Sequence, residues 1–112
     1  MAFDALLADR IRTLIGANKD VEERRMFGGL AFLVRGHMSC GVVGETLMVR
    51  VGPEQYTDAL ARPHAREMDF TGRALKGFVY VAPIGVSTAE ALKRWLELGT
   101  GYARQLPPKK KK

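Results

Sequence analysis

"GGLAFLVRGHMSCGVVGETLMVRV", residues 28–51, decides the fold class. Leu30, Phe32 and Val34 alternate with Ala31, Leu33 and Arg35. After "RGH" the same period returns, with Met38, Cys40 and Val42 against Ser39, Gly41 and Val43. After Gly44 and Glu45 it returns again, with Leu47, Val49 and Val51 against Thr46, Met48 and Arg50. A period of two belongs to strands, whose successive side chains point to opposite faces. Strands joined by such short connections must run antiparallel, so the stretch predicts a meander. "EERRMF" just before it adds one more strand at its start.

Outward from this meander the period changes to that of helices. On the N-terminal side, Phe3, Leu7, Ile11, Leu14 and Ile15 share one helical face, with Asp4 placed to cap the start and Gly16 and Asn18 to end it. On the C-terminal side, Gly52 and Pro53 suit a helix entry, Tyr56, Ala59 and Leu60 are spaced to face a sheet, and Pro63 closes the segment. "REMDFTGRALKGFVYVAP" reads as a loop or short strand, a turn at Thr71 and Gly72, and a strong strand at Phe78 to Val81. Ser87 and Glu90 have the spacing of a capping box. Behind them Leu92, Trp95, Leu96, Tyr102 and Leu106 form a helical stripe. Gly99 and Gly101 interrupt it, so this helix either breaks there or packs closely at the glycines. The expected order is α-β-β-β-β-α-β-α: an α+β two-layer sandwich with about five antiparallel strands and helices on one side. It forms one domain, residues 1–106, followed by a Pro- and Lys-rich flexible tail, 107–112.

Composition narrows the function classes. With 112 residues and 46% hydrophobic content the chain can bury one core. The formal net charge of +6 comes from 18 Lys and Arg against 12 Asp and Glu, and four of those lysines are Lys109 to Lys112. Without them the balance is 14 against 12, so most of the excess sits on the tail and not on a binding face. A single cysteine, Cys40, excludes an intrachain disulfide. The first 30 residues lack the pattern of a signal peptide, and no segment approaches the roughly 18 apolar residues of a membrane span. The expected location is the cytoplasm, with no membrane partner.

Several residues invite chemical readings. Gly28 and Gly29 are not a phosphate loop, because such a loop needs a helix behind it and here a strand follows. They are instead expected to bend or bulge the chain. Cys40 beside His37 suggests a nucleophile and its base, yet residues three apart on a strand face opposite ways, which favours a buried Cys40 and a solvated His37. His64 lies far along the chain, and no metal-ligand spacing is present. No catalytic residue, cofactor site or metal site is therefore expected. Arg24, Arg25, Arg35, Arg50, Arg73 and Lys76 lie at strand ends and turns, around Phe27 and Phe70. Either they converge into a cationic patch, or they pair with Glu22, Glu23, Glu45, Glu67 and Asp69; the small net charge favours pairing.

"RRMFGGLAFLVRG" (24–36), "MSCGVVGETLMVRVG" (38–52) and "MDFTGRALKGFVYV" (68–81) together resemble the N-terminal domain of the TfoX/Sxy family, from about Phe3 to Leu106. The most specific element is Arg25, Met26, Phe27, Gly28 and Gly29 ahead of an alternating strand. The resemblance implies an α+β fold with an antiparallel sheet. It also implies transcriptional co-regulation of natural competence, with the cyclic-AMP receptor protein or other transcription machinery as protein partner. Founding members carry a second, C-terminal domain, whereas this sequence stops soon after the first, and the family supplies no catalytic residues. The expected interaction site is Arg24, Arg25, Met26, Phe27, Gly28 and Gly29 with Arg73 and Lys76. Two other readings stand beside it. One is a small-molecule or enzymatic site using Cys40, His37, Tyr56 or Tyr80. The other is weak nucleic-acid binding by Lys109, Lys110, Lys111 and Lys112. A homodimer through exposed strand edges is also compatible with so small a sheet.

Overall fold

The computed structural model describes residues 4–15, 19–26, 28–70 and 73–107; of residues 26, 69–70 and 73–76 only the backbone is described. The chain runs α1 (Ala5–Ile15), β1 (Val21–Met26), β2 (Gly29–Val34), β3 (His37–Val43), β4 (Thr46–Arg50), α2 (Tyr56–Leu60), β5 (Ala65–Phe70), β6 (Arg73–Val81), a 3-10 turn (Pro83–Val86) and α3 (Ala89–Gln105). All six strands form one antiparallel sheet in the order β1-β2-β3-β4-β6-β5. The α+β architecture is the expected one, with one strand more than the pattern suggested.

That sixth strand is β5. "AREMDF" carries Arg66, Glu67 and Asp69 among its apolar residues and so lacks an apolar alternation. It pairs along β6 nonetheless, with a register shift between Glu67 and Asp69. An edge strand needs only one partner and tolerates charge on its outer side. β1, "VEERRM", forms the other edge on the same terms.

One face of the sheet carries Leu30, Phe32, Cys40, Val42, Leu47, Val49, Val79 and Val81, all buried. Leu7, Ala8, Ile11 and Ile15 of α1, Ala59 of α2, and Leu92, Trp95 and Leu96 of α3 join them in a single core. The helices therefore form the second layer. The alternate residues Ala31, Leu33 and Met48, together with Met68, are buried too, outside that core. Period-two reading marks which residues share a face and says nothing of whether the second face is covered.

Two boundaries differ from the sequence reading, the cap of α3 and the length of α2. α3 is capped by Thr88, whose Oγ1 accepts the Ala91 N–H at 3.1 Å, and not by Ser87. The 3-10 turn draws Ser87 into helical angles (φ −68°, ψ −26°), so Thr88 (φ −100°, ψ 153°) is the residue extended enough to cap. Glu90 instead pairs with Arg94. α2 is only five residues long and stops before Pro63. Of the two outcomes expected at the glycines of α3, close packing holds at Gly99: the helix runs unbroken and Gly99 lies against the Ser39 carbonyl, while a side chain at Gly101 would meet open space. The expected ends of α1 at Gly16 and Asn18, and Phe3 on its face, lie outside the described residues. Asp4 caps α1 as expected, with Oδ1 accepting from Leu6 and Leu7 N–H.

Candidate functional site

Antiparallel pairing sorts the turns into two ends of the sheet. The β1–β2 corner, the β3–β4 turn at Gly44 and Glu45, the exit of β6 and the entry of β5 share one end. The β2–β3 turn at Arg35 and Gly36, the end of β4 at Arg50, and the N-terminal half of β6 share the other.

At the first end, Arg24 and Arg25 are exposed on β1, and Met26 stands opposite Gly29. Gly28 takes φ +73°, a backbone angle that side chains resist. Gly29 lies so close to the Val42 carbonyl that a Cβ would overlap it. The two glycines thus act differently: one turns the chain, and the other lets β2 press against β3. Phe27 lies outside the described residues. Arg73 and Lys76 stand on the backbone of β6 toward the other end of the sheet, with β4, β3 and β2 between them and β1. The described residues among the eight are therefore not one cluster: Arg24, Arg25, Met26, Gly28 and Gly29 form a corner, and the backbone at Arg73 and Lys76 is remote from it.

The described cations are largely occupied one by one. Arg24 pairs with Glu22 at 3.3 Å. Arg35 and Arg104 both reach Asp20, at 3.5 and 3.3 Å. Arg12 of α1 bridges Asp9 and Glu23, which clamps α1 to β1. Arg50 lies over the Phe78 and Tyr102 rings at 5.6 and 5.3 Å. The hydrogen bond and charge of Arg12 lower the Glu23 carboxyl, and Arg104 above all lowers that of Asp20.

The nucleophile reading meets a buried thiol. β3 carries an extra residue, Ser39, opposite the Phe32–Leu33 step, so Cys40 pairs with Phe32 while His37 pairs with Val34. The bulge cancels the opposite-face argument, and burial replaces it. Cys40 is fully buried and its thiol is pushed up to about 12. Ser39 Oγ donates to the Phe32 carbonyl at 2.9 Å. His37 Nε2 donates to the Pro107 carbonyl oxygen at 2.6 Å, which holds the start of the C-terminal tail. Tyr56 lies on α2 and Tyr80 on β6, where Arg66 covers its ring at 5.0 Å. Among the described residues no group of three or more His, Cys, Asp and Glu is placed to hold a metal ion. Lys109 to Lys112 lie outside the described residues.

A feature that sequence reading missed is a cleft of about 490 Å³ beside the start of α3, bounded by Arg62, His64, Ile84, Arg94 and Trp95. Trp95 reads from sequence as a core residue, and it is one, at 5% exposure, but its ring also carries Arg62 at 5.1 Å. The available signal was an apolar Ile84 next to Pro83, outside any period.

Among families of known proteins, the TfoX N-terminal domain matches residues 13–103. The chain belongs to this family. The match takes in the whole sheet, the β1–β2 corner and most of α3. No curated protein matches the chain. No described helix is long and apolar enough to cross a membrane.

Proposed function

We propose that this TfoX N-terminal domain is a non-enzymatic regulatory module that works through protein contacts, in the manner of a transcriptional co-regulator of the competence type. The observation that carries the proposal is the β1–β2 corner. It lies inside the family match, and its backbone is held by Gly28 and Gly29 while Arg24 and Arg25 of the edge strand face solvent. Gly29, seated against the Val42 carbonyl, fixes the start of β2 on β3, and a strand end fixed in this way needs little further ordering on contact. The sealed Cys40 and the engaged His37 support the non-enzymatic part of the reading. The expected partner is the cyclic-AMP receptor protein or another component of the transcription machinery. Arg73 and Lys76 stand on the backbone of β6, away from that corner. A homodimer would pair through a sheet edge, β1 or β5, both of which carry charged residues.

The test is affinity capture with the intact chain, with a version lacking Lys109 to Lys112, and with Arg25→Glu combined with Phe27→Ala, each with and without nuclease. Retention of a transcription protein after nuclease, independent of the lysines and lost in the double variant, is the expected result. Unchanged capture by a folded double variant refutes the corner. Capture that disappears with nuclease or with the lysines assigns the contact to nucleic acid.

A further inference from the structure

β6 ends at Val81, and the chain crosses to α3 through the Pro83–Val86 turn, which stands as a ridge between two hollows. One is the Trp95 cleft; the other is smaller, about 70 Å³, and lies against the first turns of α1. The large apolar side chains left exposed among the described residues are Ile84 at 67% and Leu6 at 72%. Ile84 lines the first hollow and Leu6 the second, so both flank the same short turn. Exposed apolar residues scattered singly need no explanation, but grouped and rimmed by charge they mark a contact surface.

The rim of the larger cleft is cationic. Arg62 lies over Trp95 and meets no carboxylate among the described residues. Arg94 shares an exposed ion pair with Glu90 at 3.1 Å, worth little and readily exchanged. His64 also borders the cleft, and no described acidic residue lines it. Its wall is preformed: a Cβ at Gly85 would come within 2.9 Å of His64 Cβ and 2.8 Å of Val81 Cγ1, and His64 itself is held at φ 70°.

We propose that this cleft is a docking groove for an acidic peptide segment of a protein partner, whose carboxylates meet Arg62 and Arg94 and whose apolar side chain packs on Ile84. Charge complementarity selects an acidic occupant, and Ile84 selects an apolar side chain within it. A nucleic-acid backbone fits less well, because the apolar Ile84 ridge offers a phosphate nothing to pack against. The inference stands on the cleft and not on the β1–β2 corner, which lies on the other edge of the sheet.

Trp95 is the only tryptophan in the chain, so its fluorescence reports on the cleft. The full chain is titrated at low salt with a short peptide of Asp, Glu and Leu that has no aromatic residue. A leucine-free peptide of equal charge and an oligodeoxythymidine serve as comparisons, and calorimetry gives a second readout. Saturable binding is expected, weakened about tenfold or more by Arg62→Glu with Arg94→Glu and by Ile84→Asp. Arg25→Glu should leave it unchanged, which separates this site from the corner. All these side chains except the Trp95 reporter are exposed, and circular dichroism checks that each variant folds. Absence of saturable binding, equal affinity of a folded Arg62→Glu/Arg94→Glu variant, or equal binding of the leucine-free peptide and the oligonucleotide overturns the proposal. A fluorescence change that follows protein concentration alone assigns the cleft to a second copy and overturns it as well.

Discussion

Gly99 of α3 rests against the backbone carbonyl of Ser39, the residue that bulges from β3, with no room for a Cβ between them. The bulge pushes Ser39 toward the helix, and a glycine lets the helix come down onto it. Because the opposing atom is backbone, it cannot rotate away. Gly99→Ala should therefore destabilise the fold by about 1–3 kcal/mol through overpacking, despite the better helix propensity of alanine. Gly101→Ala, two positions along the same helix but facing open space, should be neutral or stabilising by up to about 1 kcal/mol. Urea unfolding of both variants checks the contrast. Equal effects would mean that Gly99 serves conformation and not contact.

The two glycines of the β1–β2 corner separate the same way. Gly28 sits at φ +73° with open space where a Cβ would stand, so Gly28→Ala should cost about 1 kcal/mol from backbone strain alone. Gly28→Asn should cost less, since Asn tolerates that region. Gly29→Ala meets the Val42 carbonyl and should cost about 1–3 kcal/mol. Thermal unfolding ranks the three. A Gly29→Ala variant as stable as the parent would show that β2 and β3 can part at no cost, and the corner would lose its rigidity.

Much of this fold is legible because β2, β3 and β4 state their period plainly and their connections are too short for anything but antiparallel return. The edge strand β5 is harder to read, since Arg66, Glu67 and Asp69 satisfy an edge without an apolar code. The α3 cap moved from Ser87 to Thr88 because a 3-10 turn intervened, and such a turn has no period of its own. The pairing of cations was foreseeable in kind from the near-equal numbers of acids and bases. Its partners were not: Asp20 reaches Arg104 across 84 positions. The Trp95 cleft was hidden for the same reason, since Arg62, Ile84 and Trp95 are brought together by the sheet and share no motif.

Burial of Cys40 makes a kinetic prediction. Its thiol is held at about 12, first by burial and against a small opposing contact from Ser39. Thiol reagents should label the native chain only as fast as it opens, with a large acceleration in denaturant. The linkage has a definite sign. A thiol raised on folding leaves stability intact below its unfolded value near 9, and removes it as pH rises from there toward 12. Rapid native labelling that rises with pH through the ordinary thiol range would show Cys40 exposed and reopen the reactive-cysteine reading.

Asp20 joins three elements: its carboxylate meets Arg104 at the end of α3 and Arg35 in the β2–β3 turn, and its carbonyl accepts the Arg35 N–H at 2.9 Å. Arg104 is the main cause of its lowered pKa, with burial acting against it and Arg35 adding charge. Asp20→Asn should destabilise the chain by no more than about 1 kcal/mol at neutral pH, because the arginines are partly exposed and water screens the pairs. The difference should shrink in high salt. A lowered carboxyl contributes stability above its unfolded value and loses that contribution as pH falls through the folded one. Parent and variant should therefore converge in acid, below the ordinary carboxylate range, and diverge as pH rises toward neutrality. If their unfolding curves coincide at every pH and salt concentration, the pairs add nothing. Arg35 and Arg104 would then be free to serve a partner, and the case against a cationic surface at that end of the sheet would fail.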